Sequence, residues 1–233
     1  MAPLNQTREF RTRRARLLAV VVAAVLVVGG TGAAWTFGQQ GQSAADVVDT
    51  TSGVEGGDAE ASEADFDTAS LGPAVAAQIA YVHAHWDDTE SDDFGYLDEN
   101  DCVNFASQSL LARGWETDDE WWYDESGDPY SSSDAWRSST NLMWYLEDRP
   151  ERATALTDEQ RDQVKVGDLV QFDWDDSGDR DHTGVVTSVT TELDGSITIR
   201  YAGHTDATFD RSVDQAITEL HPGGVAYYWS IPE

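Results

Sequence analysis

Apolar positions follow three rhythms along this chain, and each predicts a different kind of element. Residues 17–28, LLAVVVAAVLVV, are unbroken and belong to a 22-residue run at 17–38 that carries no charge. A helix of about 20 such residues crosses a hydrocarbon core. From residue 73 the rhythm becomes helical. Val75, Ile79, Val82 and Trp86 form one stripe over 73–87, and Pro73 suits the first turn. Over 102–113, Val103, Ala106, Leu110 and Leu111 recur at the same spacing. Asn100 or Asp101 can cap that helix and Gly114 can end it. Ser133 or Asp134 caps a third helix that reaches Glu147 through Leu142, Met143, Tyr145 and Leu146.

After Pro150 the pattern turns β-rich, at 164–174, 183–190, 196–202 and 225–231, with Asp194-Gly195 as a hairpin turn between the second and third runs. Helices first and an antiparallel sheet second indicate an α+β fold. Residues 39–70 are small, acidic and poor in large apolar side chains, so they are expected to be a disordered linker. The folded domain is then 71–233. Within it, residues 115–133 are aromatic and acidic without a clean period. Such aromatics mostly complete a core, while their acidic neighbours place some at a surface or cleft rim.

Charge narrows the function. There are 14 Lys+Arg against 44 Asp+Glu. Five of the arginines fall in residues 1–16, beside Glu9 alone, which leaves 9 basic and 43 acidic groups in the other 217 residues. Nucleic-acid binding, which depends on neutralising phosphates, is excluded over that surface. The same asymmetry orients the N-terminus: residues 1–16 are expected inside the cell and the bulk of the chain outside. Segment 17–38 then acts as a single-pass membrane anchor or as a signal that is cleaved to release a secreted protein. With Lys165 as the only lysine, the acidic surplus also fits adaptation to salt, which concerns environment rather than activity.

One cysteine, Cys102, rules out an intramolecular disulfide and a thiolate zinc cluster. It stands at a predicted helix start, where free amides and the helix dipole lower a thiol pKa. The competing reading is a buried, inert cysteine. A cysteine nucleophile needs a base, usually histidine. His83 and His85 lie two apart on a predicted helix and read as surface or rim residues, and His221 sits in a Pro-Gly-Gly turn without an evident partner. His182 opens one strand and His204 follows the next, so their hairpin can bring the two together as base and orienting group. Asp173 to Gly178 matches the first half of a calcium loop, but Gly184 stands where the bidentate glutamate belongs, so this reads as a solvated acidic turn.

These residues carry a resemblance. Asp101-Cys102-Val103-Asn104-Phe105-Ala106-Ser107-Gln108 resembles the DCxNFxSQ element of the putative amidase domain family. Trp115, Trp121-Trp122-Tyr123, Ser133 and Trp136 are similar to its aromatic segment. The run from Gly167 to Trp174 resembles its GDLVQYDW strand, and Asp181-His182-Thr183 and His204-Thr205-Asp206 resemble two further elements. The resemblance spans about 73–230 in order. It implies a papain-like fold related to the NlpC/P60 and CHAP peptidases, in which Cys102 is the nucleophile, His182 the base and His204 the third member, with Asp206 the alternative third residue. The Cys102 amide would form part of an oxyanion hole, with Tyr96 or Asn100 as a second donor. No cofactor or metal is implied. Two functions follow: an exported cysteine amidase or peptidase acting on peptides such as peptidoglycan stems, or a non-catalytic surface module that binds through its aromatic cleft.

Overall fold

The computed structural model describes residues 70–88, 94–124 and 126–233. The expected basic N-terminus, apolar segment 17–38 and nearly all of the acidic linker lie outside the described residues. No helix among the described residues is long and apolar enough to cross a membrane. The chain runs through α1 (Pro73–His85), α2 (Cys102–Ala112), α3 (Asp134–Arg137) and α4 (Ser139–Glu147) before entering the sheet. Six strands follow: β1 (Thr154–Thr157), β2 (Leu169–Asp173), β3 (His182–Thr191), β4 (Ile197–Gly203), β5 (Thr208–Ser212) and β6 (Val225–Ser230). A short helix α5 (Val213–Gln215) leads into a π turn, Ala216–Leu220. The strand order is β1-β6-β2-β3-β4-β5 and every neighbouring pair is antiparallel, an α+β architecture.

Local chemistry accounts for the boundaries. Pro73 opens α1, which buries Val75, Ile79 and Val82. Gly114, at φ +102°, turns the chain out of α2 in a region that other residues enter only with strain. The third expected helix is two helices rather than one. Ser138 is extended, at φ −125° and ψ 125°, and its hydroxyl accepts from the Asn141 amide at 3.4 Å. Ser133 likewise accepts from the Trp136 amide at 3.3 Å. Two serine caps five positions apart start two helices, because each satisfies a free N–H that would otherwise need the preceding turn. The break makes Ser139 the first residue of α4.

Both faces of the sheet are covered. Leu169, Val185, Ala202 and Trp229 pack against Val103, Phe105, Ala106, Leu110, Leu142 and Leu146 of the helices. Val170, Phe172, Val186, Tyr201 and Tyr228 pack in a second core with Leu156, Val213 and Ala216. Successive residues of β2 and β3 therefore enter different cores, as the two-residue period of a strand requires. The Asp194-Gly195 turn closes the β3–β4 hairpin as expected, with Gly195 at φ +88° and the Glu192 amide donating to the Ser196 carbonyl at 2.8 Å.

Arg113, at the end of α2, ties the helices to the C-terminus. Its buried guanidinium donates to Gln78 Oε1 (2.7 Å) and to the carbonyls of Gly167 (3.2 Å), Ile231 (3.3 Å) and Pro232 (2.9 Å). Gly167, at φ +86°, admits it closely, since a Cβ there would come 2.7 Å from Arg113 Nη1. Arg113→Met fills similar space but leaves these acceptors without their donor. It is expected to cost about 3 kcal/mol in urea unfolding.

Candidate active site

Cys102 is the first residue of α2 and only 6% exposed. Its Sγ lies 3.6 Å from Ser139 Oγ, and the backbone amides of Thr183 and Val103 also donate to the sulfur. Burial nevertheless dominates. Assisted by the nearby Asp101 charge, it pushes the thiol above its ordinary range, past what the Ser139 and amide hydrogen bonds recover. The thiolate favoured by a helix start is thus opposed here by desolvation, and the resting group is a thiol at neutral pH.

The residue before it is equally buried. Asp101 Oδ1 accepts from the Leu97 amide (2.8 Å) and from Asn104 Nδ2 (2.9 Å), while Oδ2 lies 2.6 Å from His204 Nδ1. Trp136 Nε1 donates to Asn104 Oδ1 at 2.7 Å, which fixes the Asn104 amide with its NH₂ toward Asp101. The His204 ring stacks on Phe105, centroids 4.0 Å apart, and its Nε2 lies 2.7 Å from the His85 carbonyl. A carbonyl only accepts, so Nε2 carries a hydrogen. Nδ1 faces the Asp101 carboxyl, so the His204 ring is held between two oxygen partners.

His182 is placed differently from the expectation. The structure does not bring it to Cys102. Thr183 points to the helix face, where its hydroxyl lies 2.9 Å from Ser139 Oγ, so the preceding residue points to the opposite face. There the His182 ring lies among Phe172, Trp174 and Tyr201, with centroids 5.9, 6.0 and 6.3 Å away. A Cβ on Gly203 would come 3.3 Å from His182 Nε2. The hairpin pairs the two strand ends as anticipated, but strand alternation sends His182 and His204 to opposite faces.

Burial, followed by the nearby Arg211 and His221, lowers the His182 pKa from 6.5 to about 4. The unfolded chain then binds this proton first. Stability from the group is full above about pH 6.5 and is lost as pH falls toward 4. Between pH 7 and 5 the loss is expected to be about 2 kcal/mol. His182→Gln should lack this component when the two unfolding curves are compared.

The other candidates make other contacts. Asp206, the alternative third residue, has a side chain that is 81% exposed and pairs with Arg211 at 3.2 Å. The Tyr96 ring lies 6.1 Å from that of His204, at the edge of the Asp101–His204 pair. Asn100 is exposed in the turn Asp98–Asn100. His85 meets Asp88 through Nδ1 at 2.6 Å, His83 sets its edge to Phe209, and His221 stacks on Trp174. In the aromatic segment Trp121 and Trp136 are buried core residues, whereas Trp122 and Tyr130 are exposed.

Among the described residues, one carboxylate group is spaced as for a cation. Oxygens of Asp173, Asp175, Asp179 and Asp181 lie within 4.8 Å of one another. Asp173 is already satisfied by the Ser177 and Gly178 amides at 3.0 and 2.7 Å, and Arg180 stands 3.9 Å away. That favours a self-contained acidic turn.

Comparison with protein families decides the classification. The family described as the putative amidase domain matches residues 74–226, from the first turn of α1 into β6 and well over half of the chain. The chain belongs to the putative amidase domain family. No curated protein and no solved structure matches it. The amidase domain thus contains, in one matched segment, the Cys102 thiol, the Asp101–His204 pair and the polar side chains around them. Membership assigns amide hydrolysis as its coarse activity.

Sequence reasoning gave no role to Ser139, and it carried Gln171 and Thr183 only as parts of family elements and Asp101 as one of these and a helix cap; in this amidase domain Ser139 and Thr183 meet the Cys102 sulfur and Gln171 bonds to both. Gln171 carried a signal. It is an uncharged polar residue in the middle of LVQFD, a strand buried throughout, and buried amides need partners.

Proposed function

We propose that this chain is a cysteine-dependent amidase on a papain-like arrangement, with Cys102 as nucleophile and the Asp101–His204 pair as its acid–base partner. The observation that carries the reading is the meeting of three chemistries at one helix N-terminus: a thiol, hydrogen-bond donors around its sulfur, and an imidazole oriented by a buried carboxyl group. The His204 imidazole takes the thiol proton, and the thiolate adds to the amide carbonyl. The imidazolium so formed gives that proton to the departing amine as the C–N bond breaks, which leaves a thioester on Cys102. The neutral imidazole then takes a proton from water, whose oxygen attacks the thioester, and returns it to the departing sulfur as the acid is released. The Cys102 amide is an available donor for the developing oxyanion.

Segment 17–38 supports an exported enzyme, and cell-wall peptide stems are the substrate class that location favours. The strongly acidic surface favours a stem bearing a free amino group over an anionic polymer. A second reading, a binding module that has kept the fold, draws on one observation: Cys102 is almost fully buried. Incubating the purified full chain with peptidoglycan and with peptide amides, and weighing the fragments, separates the two. The amidase reading expects paired new amine and carboxylate ends. Unchanged substrates that remain bound would establish the second.

A further inference from the structure

Three buried polar side chains lead from the sheet to the sulfur: Gln171, Thr183 and Ser139. Their hydrogens can be placed one after another. The Trp229 indole can only donate, and it donates to Gln171 Oε1 at 2.8 Å. Gln171 Nε2 must then point the other way, donating to Thr183 Oγ1 at 3.0 Å and to the Ser139 carbonyl at 2.9 Å. With its oxygen accepting from Gln171, Thr183 has its own hydrogen free, and Ser139 Oγ, 2.9 Å away, takes it. The Ser139 hydrogen is left facing Cys102 Sγ at 3.6 Å. The reverse order would bury the Thr183 hydrogen without an acceptor, a costly arrangement for a buried side chain.

We infer that Trp229, Gln171, Thr183 and Ser139 form a hydrogen-bond relay of fixed direction that ends as a donor on the Cys102 sulfur. Ser139, which touches the reacting atom, is then a further catalytic residue for the proposed amidase, and Thr183 and Gln171 position it. Its task is to favour the sulfur anion in a pocket whose burial opposes it. Of the influences that oppose the burial-driven rise in the thiol pKa, the Ser139 hydrogen bond is the largest. Hydrogen bonds to a charged group are about twice as strong as neutral ones, so the relay acts mainly once the proton has left.

The inference rests on the reading of Cys102 as nucleophile, but it is tested by thiol reactivity rather than turnover. Cys102 is the chain's only cysteine, so modification of the full chain by methyl methanethiosulfonate, followed by intact mass across a pH series, reports it alone. Thr183→Val keeps the side-chain shape and removes the hydroxyl, whereas Thr183→Ser keeps the hydroxyl. Gln171→Glu keeps the shape but reverses the relay. Once ionised, the carboxylate accepts from both Trp229 and Thr183, so Ser139 donates toward Thr183 and the sulfur loses its Ser139 donor.

Below the labelling midpoint, Thr183→Val and Gln171→Glu are expected to react about tenfold more slowly than the parent, while Thr183→Ser matches it. Parental labelling profiles in Thr183→Val and Gln171→Glu, each verified as folded by melting, would overturn the relay. If only one of the two folds, its profile decides. A failed relay leaves the profiles unmoved while Cys102→Ala still abolishes turnover. A failed amidase reading leaves the profiles shifted in a chain whose Cys102→Ala variant behaves like the parent on every amide.

Discussion

His204→Gln is expected to lower amide turnover by roughly 10²–10⁴-fold, the usual contribution of a positioned acid–base group, while His182→Gln stays near the parent. The contrast rests on strand alternation. His204 lies on the helix face with Asp101, 2.6 Å from its carboxylate, and His182 lies behind the sheet among Phe172, Trp174 and Tyr201. Glutamine at 204 keeps an N–H that can reach Asp101, so the buried carboxylate is not stripped of its donor and the variant should fold. His204→Ala would confound the result, because removing one member of a buried pair costs about 3–5 kcal/mol. Steady-state kinetics on both glutamine variants, with melting curves beside them, makes the comparison. An inactive His182→Gln beside an active His204→Gln would show that the working histidine is on the other face.

Cys102→Ala should have the larger effect on activity and a small one on stability. Without a nucleophile the acyl-enzyme route closes, and a loss of at least about 10⁴-fold is expected. Only one heavy atom leaves the core, so unfolding free energy should fall by about 1 kcal/mol, as for deletion of a single buried methyl group. Cys102→Ser should be as inactive as Cys102→Ala, because a hydroxyl in this desolvated pocket is far harder to ionise than a thiol. A loss of several kcal/mol together with unchanged turnover would instead make Cys102 a packing residue.

The elements and their class were legible because α1 buries one stripe, the apolar residues of α2 keep helical spacing although that helix is buried all round, and the β3–β4 turn carries Asp-Gly. The edge strands β1 and β5 were not. Thr154–Thr157 buries only Leu156, and at Thr208–Ser212 only Thr208 is fully buried, so neither shows a hydrophobic alternation. The facing of His182 was illegible for a stronger reason. β3 is covered on both sides, with Val185 in one core and Val186 in the other, so apolar residues occur at both parities and do not say which side meets the helices. The place of Cys102 at a helix start was readable, but its burial was not, because burial depends on Ser139 and Thr183 arriving from 37 and 81 residues away in different elements of the fold.

The claim that most needs testing is the covalent one. The full chain is mixed with a peptide ester or amide, quenched in acid within its first turnovers, and weighed intact and after digestion. The account predicts an added acyl mass on the peptide that contains Cys102, absent in Cys102→Ala and after prior thiol modification. Sustained amide hydrolysis that continues after complete modification of Cys102, with no acyl adduct at any quench time, would contradict it.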